Sequence, residues 1–206
     1  MIDSIFGWIR GLFGRKKRVC LGLYGAPNAG KTSLANKISM DWLGEPLGEV
    51  SRIPHETRMV QQKENVRMRA NGFELSMNLL DMPGISTKVD YRDFIRYGLT
   101  LEEAQKRSKE ATKGIIEAIK WLEKVDAALV VMDACEDPYT QVNITVIGNL
   151  EAREIPVILV ANKIDLPKAD AKRIREAYPQ YPVVEVSALK GDNVDLLYDE
   201  IARRMR

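Results

Sequence analysis

Gly25-Ala26-Pro27-Asn28-Ala29-Gly30-Lys31-Thr32 has phosphate-loop spacing: a glycine, four residues, then Gly-Lys-Thr. The apolar run Val19 to Tyr24 before it reads as a buried strand, and Ser33 to Met40 after it read as the start of a helix. In that setting the loop's backbone N–H groups and the helix N-terminus converge on a phosphate. Lys31 reaches the outer phosphates, and the Thr32 hydroxyl is placed to ligate Mg²⁺. A glycine-rich turn can match the pattern by chance, so its meaning depends on the rest of the chain.

Three further stretches carry chemistry. In Asp81-Met82-Pro83-Gly84 an aspartate ends an apolar strand. Such a carboxylate can hold Mg²⁺, usually through water, while the glycine brings a backbone N–H toward a terminal phosphate. Taken alone, an aspartate before Pro-Gly is more simply a turn residue. In Asn162-Lys163-Ile164-Asp165 the terminal carboxylate can accept two hydrogen bonds from the N1 and N2 edge of guanine, which adenine cannot match. The Lys163 stem can lie against the base, and Asn162 can tie loops together. Ser187-Ala188-Leu189-Lys190 would then turn backbone N–H groups toward the guanine O6.

The elements that must position these residues alternate between apolar runs and helical stretches. Ser33 to Trp42 continue the first helix, and Leu43 to His55, broken by Gly and Pro, read as a long loop. Val66 to Ala70 and Phe73 to Leu80 alternate around Asn71-Gly72, the strongest short hairpin signal. Ile85 to Leu99 read as irregular. Thr100 with Glu103 forms a capping box for a helix ending near Lys124. Then follow strand Ala127 to Met132, helix Tyr139 to Arg153, strand Pro156 to Ala161, helix Ala169 to Ala177, strand Val183 to Ser187 and helix Val194 to Arg204. This order predicts a three-layer α/β fold whose sheet is largely parallel, with one antiparallel edge strand from the hairpin. Each motif lies at the carboxyl end of its strand, where open α/β sheets bind ligands.

A chain of 206 residues can form one domain with a full core. A net charge of +2 gives no argument for nucleic acid as the main partner. Two distant cysteines, Cys20 and Cys135, argue against a disulfide framework or thiolate metal site and for a reducing, cytoplasmic setting. His55, the only histidine, removes histidine triads and polyhistidine sites.

We expect residues 1–18 to form a separate segment ahead of one domain spanning 19–206. Ile2, Ile5, Phe6, Ile9, Leu12 and Phe13 fall on one helical face, and Arg15-Lys16-Lys17-Arg18 follows. This suits a helix lying on an anionic membrane surface, and equally a helix packed on its own domain or on a partner protein.

Together the four motifs resemble the first, third, fourth and fifth signatures of translation-factor-class GTPases. The Pro-Asn inside the phosphate loop and Asp-x-Pro-Gly are most similar to the Era, EngA and TrmE group. The resemblance covers about Val19 to Arg206 and implies a Ras-like P-loop fold that binds GTP and GDP with Mg²⁺ and hydrolyses GTP as a molecular switch. It implies nucleotide contacts from Gly25 to Thr32 and from Ser33, Asp81, Gly84, Asn162, Lys163, Asp165, Ser187, Ala188 and Leu189. Lys31 and the Gly84 N–H would stabilise the transferring phosphoryl group. Glu56-Thr57-Arg58 matches the second signature, with Glu56 in place of its first threonine, and makes Thr57 a Mg²⁺ ligand beside Thr32 and Asp81.

Ile85 departs from Ras-like relatives, which place a water-orienting glutamine there. Some members of the group instead use a K⁺ ion held partly by the phosphate-loop asparagine, here Asn28, so slow hydrolysis accelerated by K⁺ or by a protein activator is expected. Era carries an RNA-binding KH domain after its GTPase domain and EngA a second GTPase domain; a last helix ending at Arg206 leads us to expect neither. The segments Leu43 to Arg58 and Asp81 to Leu99 would switch and meet a protein effector. Two other readings stand beside this one: an RNA or ribosome assembly factor using Arg15 to Arg18, and an interaction module that binds nucleotide with little hydrolysis.

Overall fold

Residues 18–51, 57, 59–70 and 72–205 are described by a computed structural model. The expected N-terminal amphipathic helix, and His55, Glu56, Arg58 and Asn71, lie outside the described residues.

Strands β1 (Val19–Tyr24), β2 (Gln61–Ala70), β3 (Phe73–Asp81), β4 (Ala127–Asp133), β5 (Val157–Asn162) and β6 (Val183–Val186) pair in the order β2-β3-β1-β4-β5-β6. Every pairing is parallel except β2 with β3, the hairpin that places β2 on one edge. Gly72 in its turn has a φ of 72°. β2 begins before Val66, where alternation becomes legible, because a bulge between Lys63 and Val66 shifts the register and puts Asn65 at φ 59°. One extra residue breaks the period-two pattern that sequence reading relies on.

Helices α1 (Lys31–Leu43), α2 (Tyr91–Ile95), α3 (Leu101–Trp121), α4 (Gln141–Glu151), α5 (Ala171–Ala177) and α6 (Val194–Arg204) complete the described elements. β4 shows why two layers of helix are needed. Leu129 and Val131 join Leu34 and Ile38 of α1 and Leu197 and Ile201 of α6 in one core. Ala128, Val130 and Met132, pointing the other way, join Ala118 of α3 and Leu122 at its C-cap, Val146 and Leu150 of α4 and Ile174 of α5 in a second. The three-layer arrangement and its single antiparallel edge are those expected.

Thr100 and Glu103 form the anticipated capping box, the Glu103 N–H donating to Thr100 Oγ1 at 3.3 Å and the Thr100 N–H to Glu103 Oε2 at 2.8 Å. The stretch Ile85 to Leu99, expected to be irregular, contains α2. Asp90 caps it by accepting the Arg92 N–H at 3.0 Å. A helix of five residues is too short to show a period. Phe94 of α2 packs with Ala104 and Ala111 of α3 in a small core of their own. α4 starts at Gln141 rather than Tyr139 because Thr140 is its cap, accepting the Asn143 N–H at 3.2 Å. Among the described residues no helix is long and apolar enough to cross a membrane.

Candidate functional site

The carboxyl ends of β1, β3 and β5 and the start of the loop after β6 bring the four motifs to one edge of the sheet. β1 ends at Tyr24, and Gly25 turns the chain at a φ of 144°; a Cβ there would stand 2.2 Å from the Val131 carbonyl oxygen. Only glycine fits. Asn28 also takes a left-handed φ of 61° and is exposed at the outer rim of the loop. The Leu34 N–H donates to the Gly30 carbonyl at 2.9 Å, which starts α1 directly behind the loop. Ser33 follows in its first turn.

Lys31 is buried, and its Nζ donates to the Ala26 carbonyl at 2.8 Å, folding back over the loop. Burial lowers its pKa from 10.5 to about 8, and the nearby Asp81 carboxylate opposes that shift. Asp81 is fully buried, and burial raises its pKa against hydrogen bonds from Thr32 and Thr57 and the charge of Lys31. Thr32 Oγ1 donates to Asp81 Oδ2 at 2.6 Å; Thr57 Oγ1 lies 3.0 Å from Thr32 Oγ1 and donates to Asp81 Oδ2 at 3.4 Å. Asp81 Oδ1 is buried with no hydrogen-bond partner among the described residues.

This donor set fits Mg²⁺. Two hydroxyl oxygens 3.0 Å apart match the edge of about 2.9 Å in an octahedron with 2.0–2.1 Å metal–oxygen bonds. An orphaned carboxylate oxygen stands beside them. Among the described residues no three His, Cys, Asp or Glu lie together to hold a metal by themselves, so a cation here would also need phosphate or water oxygens.

Gly84 approaches the phosphate loop so closely that a Cβ would stand 2.9 Å from Pro27 Cα. The Ile85 N–H donates to the Gly25 carbonyl at 3.1 Å, while its side chain is buried in the core beside Met82. An apolar side chain turned into the core has nothing with which to orient water.

Asn162 joins two loops. Its Nδ2 donates to the Ala29 carbonyl at 2.9 Å, and its Oδ1 accepts the Ala188 N–H at 2.9 Å. Asp165 is held by the Ser187 hydroxyl, which donates to its Oδ1 at 2.7 Å and accepts the Lys190 N–H at 3.1 Å. Leu189 stands outward at 83 % exposure.

Two partners were not visible in the sequence. Asp133, at the end of β4, accepts a hydrogen bond from Lys163 Nζ at 2.5 Å. Asn36, on α1, accepts the Leu47 and Gly48 N–H groups at 2.8 and 2.9 Å and donates to the Gly48 carbonyl at 2.7 Å, fixing the loop that leaves α1. No local pattern marks either residue, since both partners are distant in sequence.

Residues 20–163 match the sequence profile of the family described as 50S ribosome-binding GTPase. The GTPase Der of Syntrophotalea carbinolica is 30 % identical over 195 residues, covering 89 % of this chain and 38 % of Der. The GTPase Era of Clostridium acetobutylicum is 29 % identical over 191 residues, covering 89 % of this chain and 54 % of Era. The tRNA modification GTPase MnmE of Heliobacterium modesticaldum is 30 % identical over 185 residues, covering 89 % of this chain and 33 % of MnmE. Among solved structures, Aquifex aeolicus Era bound to GDP and aluminium fluoride superposes with a TM-score of 0.69 at 25 % identity over 93 % of this chain and 58 % of that one. Era in complex with MgGDPNP and nucleotides 1506-1542 of 16S ribosomal RNA does so with a TM-score of 0.69 at 26 % identity over 92 % of this chain and 57 % of that one. The chain spans roughly a third to just over half the length of these curated relatives. With a matching family profile over most of the chain and Era-like structures superposing on its fold, the chain belongs to the 50S ribosome-binding GTPase family, on the Era, Der and MnmE side.

Proposed function

We propose that this chain binds GTP and GDP with Mg²⁺ and hydrolyses GTP to GDP and phosphate as a molecular switch. The observation that carries the reading is Asn162, which joins the phosphate loop at Ala29 to the loop that would meet the base at Ala188. A site built this way reads base and phosphate as one ligand. Asp165, steadied by Ser187, accepts from the guanine edge; with the Ala188 N–H held by Asn162 Oδ1, the Leu189 N–H is the one left to face the guanine O6. Gly25 to Ser33 wrap the phosphates. Mg²⁺, held by Thr32, Thr57 and Asp81, supplies charge neutralisation at the phosphate oxygens. Lys31 turns from the Ala26 carbonyl to the outer phosphates, and the Gly84 N–H steadies the terminal one.

Single-turnover hydrolysis of GTP and ATP by the unaltered chain and by Lys31→Met tests this. We expect Mg²⁺-dependent, slow turnover of GTP over ATP that Lys31→Met abolishes. Equal handling of the two nucleotides would sink the guanine assignment, and tight GTP binding without turnover would leave the interaction-module reading in its place.

Buried Ile85 supports a K⁺ ion at Asn28, on the exposed rim of the loop, as the accelerator in place of a glutamine. Hydrolysis should be faster in K⁺ than in Na⁺, and Asn28→Ala should remove the difference; equal rates in both salts argue against the ion. An activator or effector protein would meet the loops around Thr57 and Gly84.

Residues 1–18 form a separate segment that docks the domain on an anionic membrane surface, as their apolar face and basic cluster suggest. Flotation with anionic liposomes should recover the full chain and not a chain lacking residues 1–18. A second reading has one support, the ribosomal RNA bound by the Era structure that this chain resembles. It requires RNA affinity that falls steeply with salt and survives polar substitution of Ile5, Phe6 and Ile9.

A further inference from the structure

β4 and β5 end side by side, with Asp133 opposite Asn162 in register. Asn162 serves the phosphate loop, whereas Asp133 belongs to none of the four motifs. Its carboxylate is nevertheless fully committed: Oδ1 accepts the Cys135 N–H at 2.9 Å and Oδ2 accepts Lys163 Nζ at 2.5 Å. The ion pair is partly shielded from solvent, the Lys163 side chain being 30 % and the Asp133 side chain 18 % exposed. Lys163 is held at its other end too: its backbone, at a φ of 69° beside Asn162, has its carbonyl accepting the Leu166 N–H at 3.0 Å. A lysine is ordinarily a flexible four-carbon stem carrying a mobile charge. With backbone and ammonium both fixed, the stem becomes a rail of methylenes, and the charge is spent on a carboxylate.

We infer that Asp133 is a positioning residue for the purine: by holding the Lys163 ammonium it keeps the Lys163 stem in place as one wall of the base site. Asp165, two residues further on, reads the base edge, and Asp133 makes the adjoining surface firm enough to receive the base's face. This rests on reading the site as one for guanine nucleotides. The contribution does not depend on the number of phosphates or on which groups the base edge carries. It belongs to affinity, not to chemistry or base choice.

Asp133→Asn is the sharp test, since it keeps shape and an acceptor for the Cys135 N–H while removing the charge that holds Lys163. Affinity for GDP and for a non-hydrolysable GTP analogue should weaken by the same factor, about three- to tenfold, the scale of a partly shielded ion pair. KM should rise accordingly while kcat at saturation stays within about twofold. The ratio of GTP to ITP affinity should not move. In a Lys163→Met background the Asp133→Asn change should have no further effect. Asp133→Glu, which keeps a carboxylate within reach, should bind more tightly than Asp133→Asn.

A fall in kcat with KM unchanged overturns the proposal, as does an equal loss in the Lys163→Met background, which would assign the effect to the Cys135 turn. Equal weakness of the Glu and Asn variants also overturns it. Failure of the unaltered chain to bind guanine nucleotides is a separate result, visible before any variant is made, and removes the site reading itself.

Discussion

Thr32 and Asp81, 49 positions apart, share a 2.6 Å hydrogen bond in which the hydroxyl donates to Oδ2, while Asp81 Oδ1 is buried and unpartnered among the described residues. A buried carboxylate with one oxygen orphaned is costly to maintain. Mg²⁺ with its water shell would satisfy that oxygen and draw both threonine hydroxyls onto the metal.

Asp81→Asn should therefore weaken the Mg²⁺ dependence of nucleotide binding. We expect the free Mg²⁺ needed for half-maximal GTP hydrolysis to rise at least about tenfold, or 1.4 kcal/mol. Affinity for GDP in EDTA should change little. A Mg²⁺ titration of single-turnover rates on both proteins checks this.

Lys31 gives the nucleotide-free domain a defined response to pH. Its folded pKa of about 8 lies below the ordinary 10.5, so between those values the unfolded chain holds more protons than the native one. Stability contributed by this group rises with pH across that window, and the full cost of the buried charge is felt below it. Lys31→Met should stabilise the nucleotide-free protein at pH 7 by about 2 kcal/mol, after allowing for the lost hydrogen bond to Ala26. Urea denaturation reads it. Asp81 acts in the opposite direction: its pKa is raised, so its contribution falls as pH climbs above the ordinary carboxylate value of 3.8.

A phosphate beside Lys31 should restore its proton. In EDTA at pH 8, where Lys31 is about half protonated, GDP binding should be accompanied by uptake of a fraction of a proton, on the order of one half. Calorimetry in buffers of different ionisation enthalpy measures it, and Lys31→Met should abolish it.

Asn162→Ala would strip the Ala29 carbonyl and the buried Ala188 N–H of their partner at once. The expected loss of folding stability is about 2 to 4 kcal/mol, with nucleotide affinity falling further than stability alone explains. Denaturation of the ligand-free variant beside a binding titration separates the two.

Asp165→Asn replaces an acceptor facing the guanine edge with a group that can also donate. GTP affinity should fall at least about a hundredfold, while xanthine nucleotides, which carry a carbonyl in place of the guanine amino group, should gain. Ser187→Ala removes only the hydrogen bond that steadies the carboxylate and should cost about tenfold without changing base preference. Competition of GTP, XTP and ITP for each variant decides it.

Patterns within reach of a few neighbours were legible in the chain itself. The β2–β3 hairpin announced itself by alternation and Asn71-Gly72, α3 by the Thr100 and Glu103 box, and β4 and β5 by unbroken apolar runs. Because the motifs follow strands, their gathering at one sheet edge followed from topology. α2, five residues long, offered no period, and the bulge at Asn65 hid the first half of β2.

Tertiary structure alone decided which side chains meet and how dry they are. Ile85 had a side chain unsuited to orienting water; only the fold showed that it is core. Lys31 and Asp81 were assigned to phosphate and metal by type, but their perturbed proton affinities arise from burial that no local pattern reports. Asp133 lies 30 positions from Lys163, and Asn36 caught the Gly48 loop by side-chain contacts that carry no period. Periodicity and turn chemistry are written in neighbouring residues, while desolvation and long-range ion pairs exist only once the sheet has brought its strand ends together.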